Sequence, residues 1–92
     1  MKIIKVVFDF NHIPDVATFY AEFIRQFALD DDFGANLDAL WDILTSGGIS
    51  LPVKIEFIHF KRGRARHFID LARVFSEAEQ ELSGRLHFNI TT

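Results

Sequence analysis

Hydrophobic residues recur along this chain with two periods, and the switches between them divide it into six predicted elements. Near the start, Ile4, Val6 and Phe8 fall on one side of a period-two pattern and Lys5 and Asp9 on the other, so Met1 to Phe10 reads as a strand. Pro14 and Asp15 then open a helix in which Val16, Phe19, Tyr20, Phe23, Ile24 and Phe27 repeat at helical spacing, ending near Leu29. Tyr20 stands in that core register, with its hydroxyl expected at the surface. A second helix is predicted from Asn36 onward: Leu37, Leu40, Trp41 and Leu44 occupy positions i, i+3, i+4 and i+7, a short apolar stripe expected to face the core. Ser46-Gly47-Gly48 breaks it. From Pro52, Val53, Ile55 and Phe57 alternate with Lys54 and Glu56 as a second strand. A last helix should bury Phe68, Leu71, Ala72, Phe75 and Leu82 and turn Asp70, Arg73, Glu77 and Glu81 outward. Gly84 ends that helix, and Leu86, Phe88 and Ile90 alternate with His87, Asn89 and Thr91 as a closing strand.

Strands separated by helical crossovers pair in parallel with right-handed connections, so this order predicts an α/β fold with a three-stranded parallel sheet. Lys5, Lys54, Glu56, His87 and Asn89 all lie opposite the apolar faces, which leaves the helices mainly on one side, in two layers. Ninety-two residues suffice for one hydrophobic core, and a single domain over residues 1–92 is expected. Apolar residues make up 49% and charged residues 25%, which excludes a disordered chain. With no cysteine, disulfides and thiol chemistry are excluded. No segment approaches the roughly 18 apolar residues of a membrane span, so no membrane partner is expected. Asp9, Asn11 and His12 end the first apolar run too early for an export signal, so a cytoplasmic location is expected.

Charge changes the picture more than composition does. Between Arg25 and Lys54 there is no Lys or Arg, while Asp30, Asp31, Asp32, Asp38 and Asp42 all fall there, in a chain of formal net charge −3. Asp38 belongs to the first turn after a predicted Asn36 N-cap, where the helix dipole favours a carboxylate. Asp42 falls near the C-terminal turn, where the dipole disfavours it by about 0.3–1 kcal/mol. The pair, four residues apart, also repel by about 0.2–0.5 kcal/mol, and no basic residue three or four positions away offsets this. Such a concentrated field attracts and orients a cationic partner. The rival is Lys61 to Arg66, four of the ten basic residues within six positions, which suggests a nucleic-acid-binding loop. It is the weaker reading because the net charge is negative and a short basic loop gives mainly salt-sensitive, non-specific contacts. His12, His59, His67 and His87 are not spaced for a shared metal site, and Asp30 to Asp32 lack a following ligand pattern, so neither metal nor cofactor is expected. No nucleophile elbow or Gly-rich phosphate loop occurs.

Gly34-Ala35-Asn36-Leu37-Asp38-Ala39-Leu40-Trp41-Asp42 resembles the signature of the barstar family, protein inhibitors of the ribonuclease barnase. The likeness continues more loosely through Leu51 to Phe57 and Val74 to Ala78, covering most of the chain from Phe23 onward. It implies a barstar-like fold, a non-enzymatic immunity protein, and a basic ribonuclease as partner, with the acidic helix plugging the cationic site built for phosphate. By resemblance, Asp42 makes the dominant contacts with the nuclease's active-site cations and Asp38 is its partner one turn earlier. Gly34, Asn36, Leu37 and Thr45 fall at the contact edge, Trp41 matches the family's helix tryptophan, and Glu77 matches an acidic contact on the last helix. Arg73, four residues before Glu77, is placed to pair with it instead. Two departures stand out: Asp32 and Phe33 replace adjacent tyrosines, removing the ring that stacks on the nuclease's catalytic histidine, and Gly47-Gly48 carries no aromatic where the family has a tryptophan. The barnase–barstar pair is itself the standard example of electrostatic steering, so agreement on that point is precedent rather than independent support.

Overall fold

Alternation along the first strand, β1 (Ile4–Asp9), buries Val6 and Phe8 and leaves Lys5 outside, and the same alternation governs β2 (Val53–Ile58). These strands and β3 (Leu86–Ile90) pair in parallel in the order β1-β2-β3, with Lys5, Lys54 and His87 in register and Val6, Ile55 and Phe88 in the next row. The connections are α1 (Val16–Phe27), α2 (Leu37–Thr45) and α3 (Arg62–Glu81). This computed structural model describes residues 3–30 and 32–92, the side chains of residues 62–65 excepted. The predicted three-stranded parallel sheet and the order of all six elements are therefore present.

One face of the sheet meets the helices through phenylalanine rings. Phe8 lies 4.9 Å from Phe19 of α1, Phe57 lies 5.3 Å from Phe75 of α3, and Phe10 lies 4.9 Å from Phe68, in tilted or edge-on arrangements that favour ring quadrupoles. Leu40 and Leu44 of α2 complete this core, and α2 packs beside α3. The other face is open: Glu56 on β2 sits between Lys5 at 3.6 Å and Lys54 at 3.5 Å. Gln26 of α1 donates to the Val7 carbonyl at 3.0 Å, occupying part of the β1 backbone.

Helix ends follow their local chemistry. The Asp15 carboxylate accepts from the Thr18 N–H at 2.8 Å and caps α1, while Ala28 takes a left-handed conformation, φ 52°, at its end. Four apolar residues assigned inward turn out exposed: Ile4, Val16, Leu37 and Ile90, each the first or last residue of its element, where the covering layer ends. The basic run is also corrected. Lys61 to Arg66 is not a loop but the entry to α3, which begins at Arg62 and runs 20 residues. Lys61 provides no side-chain cap and no acidic residue occupies the first turn, so these charges sit at the positive end of the helix dipole.

Candidate functional site

The chain reaches α2 through a tight approach. The Phe33 N–H donates to the Asp30 carbonyl at 3.1 Å, and the Phe33 ring turns inward, 5.7 Å from Phe23 and 6.1 Å from Tyr20. Where the family resemblance expects a partner-facing ring, this chain has one packed partly into its own core. Ala35 then takes φ 47° and Asn36 closes the turn, its side-chain carbonyl accepting from the Ala39 N–H at 2.8 Å and its amide donating to the Gly34 carbonyl at 3.2 Å. A side chain at position 34 would press on this cap, since a Cβ there would stand 3.2 Å from Asn36 Nδ2.

From that cap, α2 divides cleanly into faces. Leu40 and Leu44 are fully buried, Trp41 and Ile43 pack half-buried against the core, and Asp38 and Asp42 are exposed. Neither aspartate has an ion pair or side-chain hydrogen bond among the described residues. Leu37, assigned to the core stripe, is 39% exposed and lies on the outward side next to Asp38. Thr45 donates its hydroxyl to the Trp41 carbonyl at 2.8 Å, and the Ser46 N–H closes on the Asp42 carbonyl at 2.9 Å. The chain then turns sharply beneath the helix end, where a Cβ on Gly48 would come within 2.9 Å of the Ile43 carbonyl oxygen.

Glu77 is exposed on α3, and Arg73 is not its partner. Arg73 approaches Asp70 instead, at 4.0 Å, the outer limit of an ion pair. An open groove of about 570 Å³ runs between α1, the entry to α2 and α3, bringing Asn36, Leu37 and Asp38 together with Tyr20, His67 and Asp70. Asp42, Thr45 and Glu77 lie outside it. Burial pushes the Tyr20 phenol up from its ordinary value. No short spacing could have revealed this groove, because its walls come from segments separated by whole elements.

A second cluster also escapes sequence spacing. His59, in a left-handed conformation with φ 56°, brings its Nδ1 to 2.8 Å from Asp9, and His12 Nε2 approaches the same carboxylate at 3.8 Å. The His59 hydrogen bond, then the Asn11 N–H and the two imidazole charges, hold the Asp9 carboxyl below its ordinary value. Among the described residues no group of three or more His, Cys, Asp or Glu side chains is arranged to hold a metal ion, and no helix is long and apolar enough to cross a membrane.

A parallel sheet covered on one side, with a short capped helix presenting two carboxylates unpaired among the described residues, defines a scaffold that displays an acidic surface. The model of the family described as "Barstar (barnase inhibitor)" matches residues 3–90, and the chain belongs to the barstar family. It is also similar to a Bacillus subtilis (strain 168) protein named "Putative ribonuclease inhibitor YrdF", 28% identical over 81 residues that cover 85% of this chain and 88% of the relative.

Proposed function

We propose that this protein inhibits a basic ribonuclease by seating α2 against the cationic groups with which the enzyme holds its scissile phosphate. The observation that carries this reading is the pair Asp38 and Asp42, exposed one turn apart on a helix whose opposite side is fixed by Leu40 and Leu44. Two carboxylates on a rigid element accept charge-assisted hydrogen bonds from Arg and Lys without offering a bond to cleave. Anchoring the helix in the core lowers the ordering cost of association. Membership of the barstar family and the name of the Bacillus relative support the same partner class. Asn36 and Gly34 hold the helix entry, Leu37 and Trp41 supply apolar contact beside the acids, and Thr45 and Glu77 lie farther along the same interface. Protection of RNA against such an enzyme places the inhibitor's work in the cytoplasm, as an immunity protein.

The test is a titration of RNA cleavage by barnase at low ionic strength. Cleavage should fall linearly to zero at one inhibitor per enzyme, and the variant carrying both Asp38→Ala and Asp42→Ala should need far more protein. Undiminished cleavage in a large excess of the parent protein would sink the proposal.

A further inference from the structure

The groove between α1, the entry to α2 and α3 carries two carboxylates, Asp38 and Asp70, and the His67 imidazole on an otherwise largely apolar lining. Val16, Leu37 and Leu71 form the apolar surface, while Asp38 and Asp70 stand on it from different helices. Tyr20, which also lines it, is only 6% exposed, and its hydroxyl has no hydrogen-bond partner among the described residues. No side-chain oxygen or nitrogen among those residues is both fully buried and unpartnered. The Tyr20 hydroxyl therefore keeps its solvent contact through the groove, an oriented polar group in a largely enclosed side chain. Among the described residues Asp70 is held only by the 4.0 Å approach of Arg73, and both side chains are about two-thirds exposed, so that pair constrains it little.

We propose, resting on the inhibitor reading, that this groove receives an arginine side chain of the ribonuclease, a contact that shares Leu37 and Asp38 with the α2 surface and adds Tyr20 and Asp70 to it. Its methylene stem runs along Leu37 and Leu71. The guanidinium lies among the Asp38 carboxylate, the Asp70 carboxylate and the Tyr20 hydroxyl, all of which can accept its N–H groups. Charge complementarity selects a cation, and the apolar walls select one with a hydrophobic stem. Arginine suits the site better than lysine because its charge is more weakly hydrated and its planar fork can serve several acceptors at once. The groove adjoins Asn36, Leu37 and Asp38, so one approach of the enzyme can fill it while its catalytic cations meet Asp42.

The test compares barnase binding by the parent, Asp70→Asn, Tyr20→Phe, Asp42→Ala and Glu81→Gln. Tyr20→Phe keeps the ring that packs on Phe19 and Phe33 and removes only the hydroxyl. Glu81→Gln removes the same charge as Asp70→Asn from a position about 16 Å farther along α3. Asp70→Asn and Tyr20→Phe should each weaken binding about five- to tenfold, while Glu81→Gln stays within about twofold of the parent. In the free parent, N-acetyl-arginine amide should shift the backbone amide resonances of Leu37, Asp38, Asp70 and Leu71 more than N-acetyl-lysine amide or neutral N-acetyl-glutamine amide does. Equal shifts from the glutamine compound, or no preference for arginine over lysine, would overturn the assignment. If Asp42→Ala weakens binding while Asp70→Asn and Tyr20→Phe match Glu81→Gln, the groove proposal fails and the inhibitor reading stands. If the parent does not bind the enzyme, both fail.

Discussion

A carboxylate in the last turn of α2 works against the helix that carries it, since Asp42 meets the negative end of the dipole and repels Asp38 one turn away. Replacing Asp42 with Ala should therefore raise the stability of the free protein by a few tenths to about 1 kcal/mol, as judged by denaturant melting. The same variant should bind barnase more weakly by over about 2 kcal/mol, the level of an interface hot spot. A less stable variant, or one with unchanged affinity, would show that the acid serves the fold and not a partner. Asn36 gives the opposite pairing. Its side chain both caps α2 and ties down the Gly34 carbonyl, so Asn36→Ala should lower stability by about 1 kcal/mol in the same melt and weaken binding with it. A melting curve unchanged by that substitution would mean the cap contributes nothing.

Among the elements, α3 offers the sharpest contrast between charge and position. Its basic entry falls at the wrong end of the dipole, so replacing Lys61, Arg62, Arg64 and Arg66 with Gln should leave stability equal or higher and, on the proposed reading, ribonuclease inhibition intact. Lost inhibition in a variant with an unaltered circular dichroism spectrum would move the binding surface to this run. That α3 begins at Arg62 is not apparent from apolar spacing, because its first buried side chain among those described is Phe68 and its opening charges oppose helix formation. The other elements are readable from the chain because each has an apolar face of constant period and a polar or glycine boundary. The acidic pair is readable for a related reason: no nearby basic residue accounts for it. Leu37 is misread because periodicity assigns it a side without saying where the covering layer stops. Tyr20, His67 and Asp70 converge, and His59 reaches Asp9, only through tertiary packing, which no short window contains.

For the whole molecule, net charge and its distribution predict that association with a basic nuclease slows as salt rises, while dissociation changes much less. Stopped-flow association rates over a salt series check this, and a flat series would remove steering from the account. Stability should also depend on pH in two windows. The carboxyls of Asp9, Asp15 and Glu22 are held below their ordinary values, chiefly by hydrogen bonds from His59, Thr18 and Arg25. The unfolded chain binds more protons there, so this stabilisation is complete above about pH 4–5 and is lost as pH falls through the folded values. Tyr20 has the opposite sign: its raised phenol favours the folded state until pH climbs past about 10, then withdraws that support. Thermal melts from pH 2 to pH 11 should trace a plateau with both shoulders, and Asp9→Asn should flatten part of the acidic one. An acid limb identical in that variant would show that the Asp9 and His59 contact carries no linkage.

The uncovered face of the sheet has a practical consequence. Asn89 is exposed there, on the side away from α2, and the native chain contains no cysteine. Asn89→Cys would thus provide one unique thiol for a dye or surface tether, turning the acidic helix toward solution. On the proposed reading, a sensor coated through that position should capture the target ribonuclease with the affinity of the free protein, whereas random coupling through lysines would mix productive and blocked orientations.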